Sequence, residues 1–279
     1  MKLFNLNVDG AIHLAVDTKA GLVDLTANGF AYDMDAVIAG AAGAEEILAC
    51  AASAPIVARP VIANVVNRPN KLLCVGLNYR AHADGLNQEV CECPTLFSKF
   101  ANALTHSGAP VTLPAWEDSY DYEAELVIVI GKPAWNVSVE EAENYIFGYT
   151  CGNDISLRRA QKATTQWLIG KTMPGFGPCG PCIVTKDSYD PKQPMAVRSY
   201  VNGELKQDGR TTQMIFPCAE IVSFASRYIA LEPGDLIFTG TPTGVALEKD
   251  ASVRRWVRPG DTVDIQLEGI GTLTNTFVG

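Results

Sequence analysis

Apolar and polar positions alternate along this chain at two periods, and the stretches where each holds predict its elements. Residues 1–27 carry the short apolar-rich runs Met1–Asn7, Ala11–Val16 and Leu22–Leu25, with Val8-Asp9-Gly10 as a turn, which predicts a hairpin. Residues 33–53, rich in Ala, Glu, Ile and Leu, predict a helical segment. Three prolines (Pro55, Pro60, Pro69) then mark a connector. The expected division is a small N-terminal α/β domain with its connector over 1–68 and a main domain over 69–279.

From Lys71 the texture changes. Leu72-Leu73-Cys74-Val75-Gly76 reads as a buried strand, and Glu123–Ile130 as another that ends at Gly131. Ser138 with Glu141 three residues on is a capping box, predicting a helix to about Phe147; Pro217–Tyr228 predicts a second. Strands follow at Leu236–Thr239, Thr262–Leu267 and Thr272–Phe277, two of them introduced by Pro-Gly-Asp turns at 233–235 and 259–261. Strands dominate and no regular βαβ alternation exists, so the expected class is α+β or a mainly β, barrel-like domain rather than a Rossmann fold.

Composition narrows the function. A hydrophobic fraction of 47% with 19% charged residues supplies a buried core and excludes disorder. The net charge of −9 repels nucleic acid and anionic membranes, so an anionic substrate needs a local positive centre. With no charged leader ahead of an apolar run, and no stretch near the roughly 20 apolar residues that cross a bilayer, a cytoplasmic protein is expected. The eight cysteines then read as reduced, buried small hydrophobes.

Candidate chemistry concentrates in Asp121-Tyr122-Glu123-Ala124-Glu125, followed by Leu126–Ile130. In a strand Glu123 and Glu125 share a face, about 7 Å apart. Two desolvated carboxylates there cost several kcal/mol per ion unless one is protonated or a cation neutralises them. All-oxygen ligation suits Mg²⁺, Mn²⁺ or Ca²⁺; a solvated or Lys/Arg-paired Glu-x-Glu is the other reading. Asp154, in Gly152-Asn153-Asp154-Ile155-Ser156, is a third acid, or a turn residue. Lys171, before Thr172-Met173-Pro174-Gly175, reads as an enolate-stabilising electrophile or a surface lysine, and His82 as catalytic or structural. Cys179-Gly180-Pro181-Cys182 has the letters of a redox pair, but Ile183-Val184-Thr185 continues as strand where that chemistry needs a helix N-terminus. Gly175-x-Gly177-x-x-Gly180 follows no strand and opens no helix. Cys91 and Cys93 lack a second pair at zinc spacing.

Together these segments resemble the fumarylacetoacetate hydrolase family over roughly residues 70–279. The resemblance is carried by Gly76-Leu77-Asn78-Tyr79 with His82, Phe97-Ser98-Lys99-Phe100, Asp121–Leu126, Asn153–Ser156, Gln166-Trp167 with Gly170-Lys171, Val201–Glu204, Met214-Ile215-Phe216, and Leu231–Asp235 running to Thr239-Gly240-Thr241-Pro242. It implies a mixed β-roll, a homodimer, and Mg²⁺ (Mn²⁺ or Ca²⁺ in some members) held by Glu123, Glu125 and Asp154. Acylpyruvates and related β-oxo acids are the implied substrates. Asn78, Tyr79, Arg158, Gln161 and Thr241 fall at substrate-binding positions, and His82 and Lys171 at catalytic ones. The implied reaction is hydrolytic C3–C4 cleavage, in which His82 takes a proton from water and the metal and Lys171 stabilise the enolate. Two positions depart. Gly85 stands where family hydrolases place the Glu that orients the histidine, which favours an oxaloacetate-type decarboxylase or keto–enol isomerase as the alternative. Arg158-Arg159 replaces Arg-Asp, adding positive charge near the site.

Overall fold

Seven consecutive buried residues, Ala124–Ile130, form a central strand. Leu126, Ile128 and Ile130 face one apolar cluster while Val127 and Val129 face another, so both sides of the strand are covered and its sequence is apolar from Leu126 onward.

The computed structural model describes residues 1–279. Its first part holds β1 Lys2–Val8, β2 Ala11–Thr18, β3 Gly21–Asp24, α1 Met34–Ile38 and α2 Ala44–Ala51. Next come β4 Leu72–Gly76, α3 Arg80–Gly85, β5 Thr95–Lys99, β6 Leu104–His106, β7 Val111–Thr112, β8 Tyr120–Asp121 and β9 Ala124–Ile130. They are followed by α4 Val139–Ala142, β10 Ile146–Asn153, β11 Ser156–Leu157, α5 Arg158–Gln161, α6 Leu168–Lys171 and β12 Gly177–Thr185. The chain closes with β13 Ala196–Val201, β14 Glu204–Arg210, α7 Cys218–Tyr228, β15 Leu236–Phe238, β16 Thr262–Leu267 and β17 Gly271–Val278.

Ten strands share one sheet in the order β3-β2-β1-β12-β10-β9-β15-β4-β5, with β6 beside β12. A five-stranded sheet runs β14-β13-β16-β17-β7, and β11 pairs with β8. Parallel pairs (β15 with β4, β12 with β6, β17 with β7) sit among antiparallel ones, so the sheets are mixed and no βαβ series exists. No helix is long and apolar enough to cross a membrane.

The N-terminal segment adds its strands to the main sheet: Lys2 and Leu3 of β1 pair with Val184 and Ile183 of β12. Leu3, Leu14 and Val16 share an apolar cluster with Cys74, Val127, Leu236 and Phe238. Two expected helices are shorter than their patterns suggest. Residues 33–53 form two helices, because Gly40 adopts φ 90° and Gly43 caps the second. The helix starting at Ser138 stops at Tyr145, because from Ile146 onward the backbone pairs with β9. Cys179 and Cys182 lie inside β12 with no helix start, as their flanking residues predict.

Candidate active site

The site forms where β9, β10 and the turn after β15 converge. Asn153 Oδ1 accepts the Glu123 N–H at 3.0 Å, and the Asp154 N–H donates to Glu123 O at 3.0 Å, which binds the two acid-bearing segments edge to edge. Glu125 follows on the same strand face, and its Oε2 accepts the Gly240 N–H at 2.7 Å. A donor oxygen from each of Glu123, Glu125 and Asp154 lies within 4.8 Å of the others, and all three residues are buried. The same-face expectation for Glu123 and Glu125 is met.

Three buried cations surround the triad. Lys171 Nζ donates to Glu123 Oε2 at 2.6 Å and to Asp154 Oδ2 at 2.7 Å. The Lys99 ammonium lies against Asp154 Oδ1 and donates to the carbonyl of Phe176 at 2.8 Å. Arg158 reaches Glu123 Oε1 at 2.7 Å, Asp121 Oδ2 at 2.9 Å and Gln161 Oε1 at 3.1 Å. Burial opposes ionisation of Glu123, but Arg158, Lys171 and His82 outweigh it and hold the carboxyl well below its ordinary range. Glu125 has no lysine or arginine in ion-pair reach. Burial, then the charges of Asp154 and Glu123, push it well above that range. Burial works against the Lys171 ammonium, yet Asp154 and Glu123 keep it charged.

These observations test the fit of a cation. Three hard oxygen donors converge, and the one lacking a protein countercharge faces the other two. That donor set suits a divalent ion held by oxygen.

Beside the triad opens a cavity of about 380 Å³. His82, Arg158, Gln161, Lys171 and Thr241 line it, together with Leu77, Leu86, Phe97, Trp167 and Leu247. The Thr241 hydroxyl donates inward to Ala124 O at 2.9 Å and accepts from Gln207 at 2.8 Å, so its proton is committed to the scaffold. Asn78 and Tyr79 do not line the cavity. The Asn78 amide spans Phe216 and Thr239, donating to their carbonyls at 3.0 and 2.7 Å, and clamps the turn instead. Tyr79 is buried and bridges to Met214.

The carboxylate absent at position 85 comes from elsewhere in the chain. His82 Nδ1 hydrogen-bonds Glu248 Oε1, from a residue 166 positions away. Glu248 Oε2 is held in turn by Thr243 Oγ1 and the Gly244 N–H, each at 2.6 Å. Burial alone raises Glu248, but the hydrogen bonds from His82, Thr243 and Gly244 prevail and hold it below its ordinary value. A Cβ at Gly85 would sit 3.1 Å from the Glu248 side chain. The glycine therefore vacates the space that Glu248 occupies. Pairing at Nδ1 leaves Nε2 as the basic nitrogen. Asp84 and Glu89, near in sequence, take no part. Arg159 turns outward to Glu117 and Asp118, so it adds no charge to the site.

Sequence reasoning missed Lys99, Glu248 and Asp121. Lys99 had a signal: it follows Phe97 by two on β5. Asp121 accepts the N–H groups of Ala246 and Leu247 at 2.8 and 3.0 Å, fixing the turn that delivers Glu248. Glu248 had no local signal.

The description "Fumarylacetoacetate (FAA) hydrolase C-terminal" matches residues 71–278. A human relative, oxaloacetate tautomerase FAHD2A, mitochondrial, is 36% identical over 234 residues, 82% of this chain and 74% of its own length. The fumarylacetoacetate hydrolase of Exiguobacterium antarcticum superposes with TM-score 0.89 at 32% identity, covering 100% of this chain and 99% of its own. Maleylpyruvate hydrolase from Sphingobium sp. SYK-6, in complex with manganese(II) and pyruvate, superposes with TM-score 0.82 at 28% identity, covering 100% and 99%. On the extent of these matches, the chain belongs to the fumarylacetoacetate hydrolase family.

Proposed function

We propose that this chain is a Mg²⁺-dependent hydrolase that cleaves a C–C bond in acylpyruvate-like β-diketo acids. The observation that carries this reading is the His82–Glu248 pair beside an acidic triad, because cleavage by water needs a base that decarboxylation does not. A cation held by Glu123, Glu125 and Asp154 would supply Lewis-acid polarisation of an oxo-acid oxygen. His82 Nε2 accepts a proton from water as it attacks the distal carbonyl, and Glu248 stabilises the imidazolium. The Lys171 ammonium is aimed where the leaving enolate gathers charge. Arg158 and the free amide N–H groups of Gln161 orient the substrate carboxylate.

Two features support the assignment from outside the pair: the manganese and pyruvate in the Sphingobium enzyme's complex, and the apolar wall of Leu77, Leu86, Phe97 and Trp167, which suits an acyl tail. The second reading is oxaloacetate tautomerisation or decarboxylation at the same centre, favoured by the name of the human relative. The proposal extends to a cytoplasmic homodimer, supported by exposed apolar residues such as Trp116, Trp135 and Tyr228; light scattering gives the particle mass.

Purified protein with Mg²⁺ is assayed against a panel of acylpyruvates and against oxaloacetate. Pyruvate with the matching carboxylic acid is the expected product. Turnover of oxaloacetate with every acylpyruvate intact would establish the second reading instead.

A further inference from the structure

Of the eight cysteines, only Cys91 and Cys93 are exposed. Both lie in residues 89–94, which belong to no helix or strand and make no hydrogen bond and no ion pair. The segment is tied at one end by the Gln88 N–H, which donates to Ala83 O at 2.9 Å, and at the other by Thr95, paired with Gly76. Leu86 and Gln88 before it and Phe97 after it line the active cavity. This is a loosely held strap bordering the site, with two thiols at its crest.

We propose that Cys91 and Cys93 are a redox-modifiable dithiol, which a peroxide converts to a disulfide that restrains the strap. An extended chain separates residues two apart by about 6.6 Å, the upper edge of the ~4.4–6.8 Å between α-carbons that a disulfide tolerates. The chain bends at Glu92 and Cys93, which shortens that span. One thiolate attacks a peroxide oxygen, giving a sulfenic acid as the O–O bond breaks. The second thiol attacks that sulfur and water leaves. In total two thiols lose two protons and two electrons, and one hydrogen peroxide becomes two waters.

The other thiols do not compete. Burial pushes Cys182 and Cys218 up to about 12 and raises Cys74, Cys151 and Cys179 as well, while closing them to solvent. Cys50 is half-buried, and its sulfur lies 3.8 Å from the Leu25 carbonyl oxygen.

The full chain, reduced and freed of reductant, is treated with hydrogen peroxide, alkylated under native conditions, digested and weighed. The peptide holding both cysteines is expected to escape alkylation and to be lighter by two hydrogens than the untreated peptide without its two alkyl groups. Cleavage after Glu89 and Glu92 by a glutamate-specific protease should slow about threefold or more and recover with dithiothreitol. The Cys91→Ser, Cys93→Ser double variant should show no slowing. Sulfinic or sulfonic acids in place of a linkage, a linkage between two chains, or a linkage with unchanged cleavage each overturn the proposal. None of these readouts depends on which oxo acid is turned over.

Discussion

Gly85 and Glu248 form one device split between distant positions. The glycine ends a short helix, and the glutamate enters the space beside it to hold His82. Replacing Glu248 with Gln keeps shape and removes charge, so the imidazolium loses its counterion; hydrolytic kcat should fall by about 10²-fold or more. The variant should also be less stable by about 1–2 kcal/mol near neutral pH. Because the folded value of Glu248 lies below the unfolded one, its contribution is present above the unfolded pKa of roughly 4.3 and is lost as pH falls through the folded value. Urea titrations of the two proteins should therefore converge on acidification. A gap that widens below roughly pH 4 would mean that Glu248 is not held ionised. Gly85→Ala tests the other half. Helix propensity favours alanine by about 0.5–1 kcal/mol, while the 3.1 Å contact falls on the Glu248 carboxylate, which can move. Stability should change little while turnover drops, as steady-state kinetics and thermal melts will report.

At the scale of elements, pattern and outcome part where partners decide. Strand β9 was legible because seven apolar or acidic positions in a row tolerate only a strand buried on both faces. Glu123 and Glu125 were legible for the same reason. The two shortened helices were not: Gly40 and Gly43 interrupt the first, and an available edge of β9 captures the residues that would extend the second. That Asn78 and Tyr79 stand behind the cavity wall was not legible, because a motif gives proximity in sequence without the direction of a side chain. Close packing also leaves its mark at Gly152, where a Cβ would lie 2.4 Å from Val127 and 2.7 Å from Phe238. Gly152→Ala pries β10 from β9 two residues from Asp154, and should cost about 1–3 kcal/mol. Chemical denaturation with the melt followed by tryptophan fluorescence checks it.

Across the whole molecule, the parts least visible in the sequence are those joined over the longest separations. Nothing near His82 announces Glu248, and nothing in residues 1–68 announces that β1 completes the sheet at β12. The proposed boundary near residue 68 therefore separates segments that share a core. Removing residues 1–68 should uncover Cys74, Val127, Leu236 and Phe238 and drive the remainder into aggregates; a monodisperse, folded product on gel filtration would show that the catalytic portion stands alone. Chelation should behave differently. Treatment with EDTA is expected to abolish turnover while circular dichroism and the melting temperature change by only a few degrees, since Lys99, Arg158 and Lys171 already answer most of the acidic charge. In this respect the protein is the reverse of a zinc finger, where the ion is the scaffold. If the fold survives chelation in this way, a newly made chain can mature before any ion arrives, and the choice among hard divalent cations falls to the oxygen donors and to supply together.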